Sequence, residues 1–284
     1  MYLASWIKYL DAHADKIWFY GTICDNPNIT WDTIISNPDK PWSYHSLSGN
    51  PNITWDIVTA NRDKDWDYAI LSANPNITWD IVRLNPDCPW NYSFMSRNPN
   101  ITWDIVKANP DKPWDYTGLS YNPNITWDII EANPDCSWDF IAISGNPNIT
   151  WDIVLANPDK PWNYHTLSQF PIITWDIICD NPDKNWNYWC LSRNPAITWD
   201  IIKSNPHCGW SPFYYSLNPS ITWEIVCENP DSKWDYSGLS FNPNITWDII
   251  EANPDKPWDY LSLTTNHMSK DKFFQNRQLS YVLK

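Results

Sequence analysis

Glycine is scarce in this chain of 284 residues, with six in all. No Gly-rich loop able to cradle a phosphate is present. Basic residues are few as well: 19 Lys and Arg stand against 33 Asp and Glu, a formal charge of −14. A nucleic-acid binder needs cations to displace counterions from phosphates, so no nucleic-acid partner is expected. An anionic membrane surface is disfavoured for the same reason. Long hydrophobic runs are missing too, since no stretch approaches the ~20 apolar residues of a membrane span. The stretch MYLASWIKYLDAHADKIW has no basic n-region and no long apolar run, so no secretory signal is expected in it.

What the chain has in abundance is tryptophan, 23 residues, set on a fixed period. The stretch from Asn98 to Tyr121 reads NPNITWDIVKANPDKPWDYTGLSY and is copied with small changes from Asn26 to Thr265. The Trp of its ITW segment recurs in steps of 24 from Trp31 through Trp55, Trp79, Trp103 and onward to Trp247. A second Trp keeps the same step of 24 from Trp42 through Trp66, Trp90, Trp114 and onward to Trp258. A fixed period in this range signals a stacked solenoid, which grows by adding units rather than by enlarging one core.

Each unit contains two similar halves, Asn98-Pro99-Asn100 leading to Trp103-Asp104 and Asn109-Pro110-Asp111 leading to Trp114-Asp115. Each half is expected to form one short helix. Asn100 and Asp111 fit as N-caps, and Pro113 then falls in a first turn, where a missing N–H costs nothing. Asp104 and Asp115 sit near the positive ends of the helix dipoles. An acid at this fixed position, Asp32, Asp56, Asp80, Asp104 and onward with Glu224 once, accounts for much of the negative charge without a ligand. The next Asn-Pro ends each helix, because the residue before Pro is pushed out of the α region. A strand is the rival for Ile-Thr-Trp-Asp-Ile, which alternates with period two. Two Asn-Pro steps per unit, each followed by a capping residue, favour helices.

The half-unit NPNITWDIV resembles the leucine-rich-repeat-variant proteins, whose period is also about 24. That likeness implies an α-helix and a 3₁₀-helix per unit, stacked into a right-handed superhelix. The full NPNITWDIV and NPDKPWDY unit is similar to tandem repeat proteins encoded by giant DNA viruses of amoebae. The iron–sulfur cluster of one variant family sits on a separate Cys-rich segment that this chain lacks, so that feature is not carried over.

The expected architecture is all-α, a right-handed α (α/3₁₀) solenoid of about ten 24-residue two-helix repeats. Residues 1–25 read as a worn N-terminal cap repeat, with Trp18 one period before Trp42. Residues 26–265 hold the ten repeats, and 266–284 read as a C-terminal cap with a helix beginning near Ser269. At roughly 8–10 Å per unit the solenoid would extend on the order of 100 Å. The copy NPHCGWSPFYYSL from Asn205 to Leu217 departs most, and Pro212 is expected to shorten or bend its second helix.

Catalytic chemistry finds little footing. Cys88, Cys136 and Cys208 share one repeat position, and Cys179 and Cys227 share another. Stacked helices roughly 8–10 Å apart cannot bring them to disulfide distance. Free thiols fit a reducing compartment. Five His are scattered, and His207-Cys208 with Cys179 and Cys190 does not guarantee the four convergent ligands that zinc needs. No catalytic residue, cofactor or metal is expected. The Trp ladders read as core, with an aromatic platform for sugars as the alternative. The Asn of each Asn-Pro is expected to satisfy turn backbone groups between stacked units.

Positions that differ between copies are the candidates for function. In the first helix that slot holds Arg83, Lys107, Glu131 and Lys203. In the second it holds His45, His165, Trp189 and Phe213, with Tyr214 beside it. Trp189, Phe213, Tyr214 and Tyr215 lie in neighbouring units and suggest an exposed apolar patch, with repacking around Pro212 as the alternative. The reading is a non-enzymatic scaffold for a protein partner, in the cytoplasm of an infected host cell or in the virion, monomeric or self-associating through the solenoid ends. A self-assembling structural protein and a Trp-lined glycan binder are the alternatives.

Overall fold

The computed structural model describes Ile7, residues 10–13 and residues 18–266. The cap helix expected near Ser269 lies outside the described residues. Every regular element among them is α-helical; those from Tyr20–Asp25 to Tyr260–Leu263 have four to six residues each, and Leu10, Asp11 and Ala12 are helical as well. The fold is an all-α solenoid of two-helix repeats, with no strand among the described residues. The period-two alternation of Ile101-Thr102-Trp103 has another origin. Ile101 is a buried residue ahead of the helix, Thr102 is its polar cap and Trp103 its first residue.

The caps differ from the expected ones. Thr102, with extended backbone, caps Trp103–Ala108 and its hydroxyl accepts from the Ile105 N–H at 3.4 Å. Asp115 caps Tyr116–Tyr121 and its carboxylate accepts from the Thr117 N–H at 3.1 Å. Asn100 and Asp111 are instead turn residues. The Asn98 carbonyl accepts from the Ile101 N–H at 3.0 Å, and the Asn98 side chain accepts from the Asn100 N–H at 2.8 Å. The Asn109 carbonyl accepts from the Lys112 N–H at 3.2 Å. Asn-Pro therefore opens a turn, and the helix begins only after it. Pro113 precedes the second helix rather than lying in its first turn. Asp104 does lie in a first turn, at the positive end of its helix. The second helix of each repeat is an α-helix of four to six residues.

Two compact units make up the chain, Tyr20–Asn163 and, separately, Met1–Phe19 together with Tyr164–Lys284. In Tyr20–Asn163 the repeats are joined by a comb of buried polar side chains. Asn122 donates to the carbonyls of Ser96, Asn98 and Ile101 in the preceding repeat, at 2.9, 3.0 and 3.1 Å. Asn124 donates to those of Pro99 and Ile101. The Ser96 hydroxyl donates to the Tyr92 carbonyl at 2.7 Å and accepts from the Asp115 N–H of the next repeat at 2.9 Å. At the first repeat Cys24 stands in the serine slot, its sulfur accepting from the Ser43 N–H at 3.3 Å. The second-half Asn acts locally: Asn109 donates to the Ile105 carbonyl, and its own carbonyl accepts from the Trp114 indole at 2.9 Å. Inter-repeat stacking therefore belongs to the first-half Asn. The turn between two short helices leaves backbone carbonyls without a partner in their own repeat, and the Asn side chains of this comb satisfy those of Ser96, Asn98, Pro99 and Ile101.

Apolar burial follows the same step. Ile53, Ile77, Ile101, Ile125 and Ile149 are fully buried, as are Leu47, Leu71, Met95, Leu119 and Ile143. The two Trp ladders meet between neighbours. The Trp114 ring lies 5.7 Å from Trp79 and stands edge-on to Tyr92 at 5.2 Å, both in the preceding repeat. No ladder Trp among the described residues is classed as exposed. Edge-to-face rings at this spacing add stabilisation beyond their area.

The unit of Met1–Phe19 with Tyr164–Lys284 repeats the arrangement, with Asn194, Asn218 and Asn242 donating across repeats. Its irregular copy is not shortened. Helix Pro212–Ser216 has five residues, with Pro212 at its start, where the missing N–H has no helical partner to lose. The ring that Pro212 removes from the ladder is supplied by Tyr215, which meets Trp234 edge-on at 5.6 Å and donates to the Lys233 carbonyl at 2.8 Å. In the same unit the Trp18 indole donates to the His13 carbonyl at 3.0 Å, and its ring lies 5.7 Å from Tyr260.

Candidate interaction surface

The copy-to-copy differences occupy two slots, and the helices place them differently. Arg83, Lys107, Glu131 and Lys203 all stand exposed near the ends of first helices. Arg83 pairs with Asp80 at 3.3 Å and Lys107 with Asp104 at 2.9 Å, each one turn back on its own helix. Such exposed pairs contribute little to stability. Among the described residues no ion pair joins these four into a site, and Lys203 belongs to a different unit from the other three.

The second-helix slot carries two roles. Polar residues in it reach the N-cap of the next repeat. His45 Nδ1 lies 2.9 Å from the Asp67 carboxylate, and the Ser93 hydroxyl donates to Asp115 at 2.9 Å. His165 Nδ1 lies 2.7 Å from Asn187 Nδ2, so the imidazole accepts there, and its Nε2 faces the Cys190 sulfur at 3.4 Å. Burial raises the Cys190 pKa above the ordinary thiol value, which keeps it protonated and a poor nucleophile. These positions vary in identity, yet several of them tie repeats together. That link was not readable from the sequence, because it depends on which slot faces which cap.

Apolar residues in the slot make no such tie, and Ile141, Trp189 and Leu261 are exposed. At Trp189 the exposure is 63%, and half-buried rings lie beside it. Its ring lies 6.5 Å from Tyr214, Tyr214 lies 5.3 Å from Phe213, and Phe213 meets Phe241 at 6.2 Å. The Arg193 guanidinium lies over the Tyr214 ring at 5.6 Å, and Arg193 also donates to the Gln169 side chain. The structure thus brings together the expected Trp189, Phe213 and Tyr214, adds Arg193 and Phe241, and places the expected Tyr215 instead in the buried ladder against Trp234. Trp and Arg beside Tyr is the composition of a binding hot spot.

This patch depends on a backbone contact. A Cβ on Gly238 would lie 2.3 Å from the Phe213 carbonyl, so only glycine lets the next helix approach the irregular copy. Phe213 and Tyr214 are held by that approach on one side and by Trp189 on the other.

Among the described residues no group of three His, Cys, Asp or Glu could hold a metal ion, and no helix is long and apolar enough to cross a membrane. All seven cysteines are free thiols. No family model, curated protein or solved structure matches the chain.

Proposed function

We propose that the chain is a non-enzymatic scaffold that binds a protein partner through the aromatic cluster at Trp189, Tyr214, Phe213 and Phe241. The observation that carries this reading is a large indole left 63% exposed where the other described Trp are packed into ladders. Repeat frames are suited to such work, because surface positions change without disturbing the stack. Arg193 over Tyr214 adds a half-buried cation against a ring of the patch. The exposed first-turn acids of the same unit, Asp176 and Asp200 among them, favour a partner with a basic surface around its apolar anchor.

The likeness to repeat proteins of giant DNA viruses supports action in an infected amoebal cell or in the virion. Affinity capture from infected cells, with wild-type chain against Trp189→Ala and Tyr214→Ala, tests the reading. One partner retained by wild type and lost by both variants, with the melting temperature unchanged, is the expected result. Identical capture by all three would refute the patch as the binding site. Glycan binding is the weaker alternative, since the ladder rings stack on one another and leave Trp189 as the one exposed indole among the described residues.

A further inference from the structure

Trp18 differs from every other ring of its ladder in the tyrosine it meets. The regular contact joins a ladder Trp to the Tyr of the repeat before it, as Trp258 joins Tyr236 at 5.2 Å and 72°. Trp18 instead meets Tyr260, in the last repeat of the sequence, at 5.7 Å and 80°. Its indole donates to the carbonyl five residues back, His13, at 3.0 Å. Trp258 donates to the carbonyl five residues back, Asn253, at 2.8 Å. The His13 ring lies 6.2 Å from Tyr260 as well. Trp18 thus stands toward Tyr260 as the Trp of one more repeat would stand.

We propose that the surface around Tyr260 is a self-recognition site whose ligands are the rings of His13 and Trp18. The chain's own copy fills it, and the Trp18 stretch of a second copy takes it when the first is withdrawn. The argument rests on identity of contact. A seat built from the inter-repeat geometry cannot distinguish its own Trp18 from another chain's by shape. Only the covalent tether distinguishes them, by giving the internal copy an effective concentration that dilute chains do not reach. Exchange of an identical element between protomers is then a low-cost route to association. This inference is independent of the scaffold reading, since Trp189 and its neighbours take no part in it.

A pair of full-length variants tests it. Trp18→Ala leaves the seat open and offers no ring, whereas Tyr260→Ala keeps the ring and damages the seat. Each alone is expected to be monomeric by light scattering, and so is the wild type. An equimolar mixture is expected to form a 1:1 complex, because the first variant's seat takes the second's Trp18. Amide protection at Leu263 and Thr264 is expected to fall about tenfold or more in Trp18→Ala and to recover on mixing. A mixture that stays monomeric overturns the exchange, and unchanged protection in Trp18→Ala overturns the seat. If Tyr260→Ala does not fold, Tyr260→Leu serves as the donor chain. Tyr260→Phe, which keeps the ring, is expected to retain wild-type protection.

Discussion

Ser120 illustrates how much one small side chain carries in this fold. Its hydroxyl donates to the Tyr116 carbonyl at 2.7 Å and accepts from the Asp139 N–H at 3.0 Å, with the residue wholly buried. Ser120→Ala leaves a buried amide without its acceptor and is expected to lower stability by ~1–3 kcal/mol, measured by urea unfolding. Trp127 is the apolar counterpart. It is 9% exposed and packs on Trp162 at 5.5 Å. Trp127→Ala is expected to cost ~3–5 kcal/mol as a core truncation, and an unchanged unfolding midpoint would contradict that role. Trp189 is the contrast. Trp189→Ala should shift stability by no more than about 0.5 kcal/mol, as for other exposed substitutions, while abolishing partner capture.

At the scale of the helix and its turn, the closest approach lies at Gly238. Gly238→Ala pushes a methyl against the Phe213 backbone and is expected to cost ~1–3 kcal/mol, with Phe213 and Tyr214 displaced. Gly209→Ala is the control, because a Cβ there meets nothing within 4 Å. The helices were legible in the sequence because Trp103 and Trp114 keep one phase through every copy. Their starts were not, since Asn100 and Thr102 both fit a capping pattern. Asn100 is committed elsewhere by its bonds to the Pro75 and Ile77 carbonyls of the previous repeat. A single sequence does not show which carbonyls a neighbouring repeat leaves open. The same limit hid Arg193 and Phe241, whereas Trp189, Phe213 and Tyr214 stood out as departures from the pattern. Pro212 misled for a related reason: its effect depends on lying at the first helical position, which the shifted caps alone reveal.

For the molecule as a whole, the many ladder tyrosines set its response to alkali. Burial, with the nearby Asp235 charge, pushes the Tyr215 pKa up to about 12. Burial also raises Tyr92 and Tyr236. An unfolded tyrosine ionises near ~10, so above that pH the unfolded chain binds fewer protons than the folded one and stability falls as pH rises. The melting temperature is expected to hold up to the ordinary tyrosine range and to drop from there toward pH 12, and Tyr215→Phe should soften the drop. The ladder bonds also bear on how the chain is made. They join residues 19 to 26 apart, so each repeat finds its partner as soon as the next has left the ribosome. The contact between Trp18 and Tyr260 cannot form until Tyr260 itself has been made. A chain cut short before Tyr260 leaves Trp18 without its seat, so that one ring contact reports whether the repeats up to Tyr260 have been made.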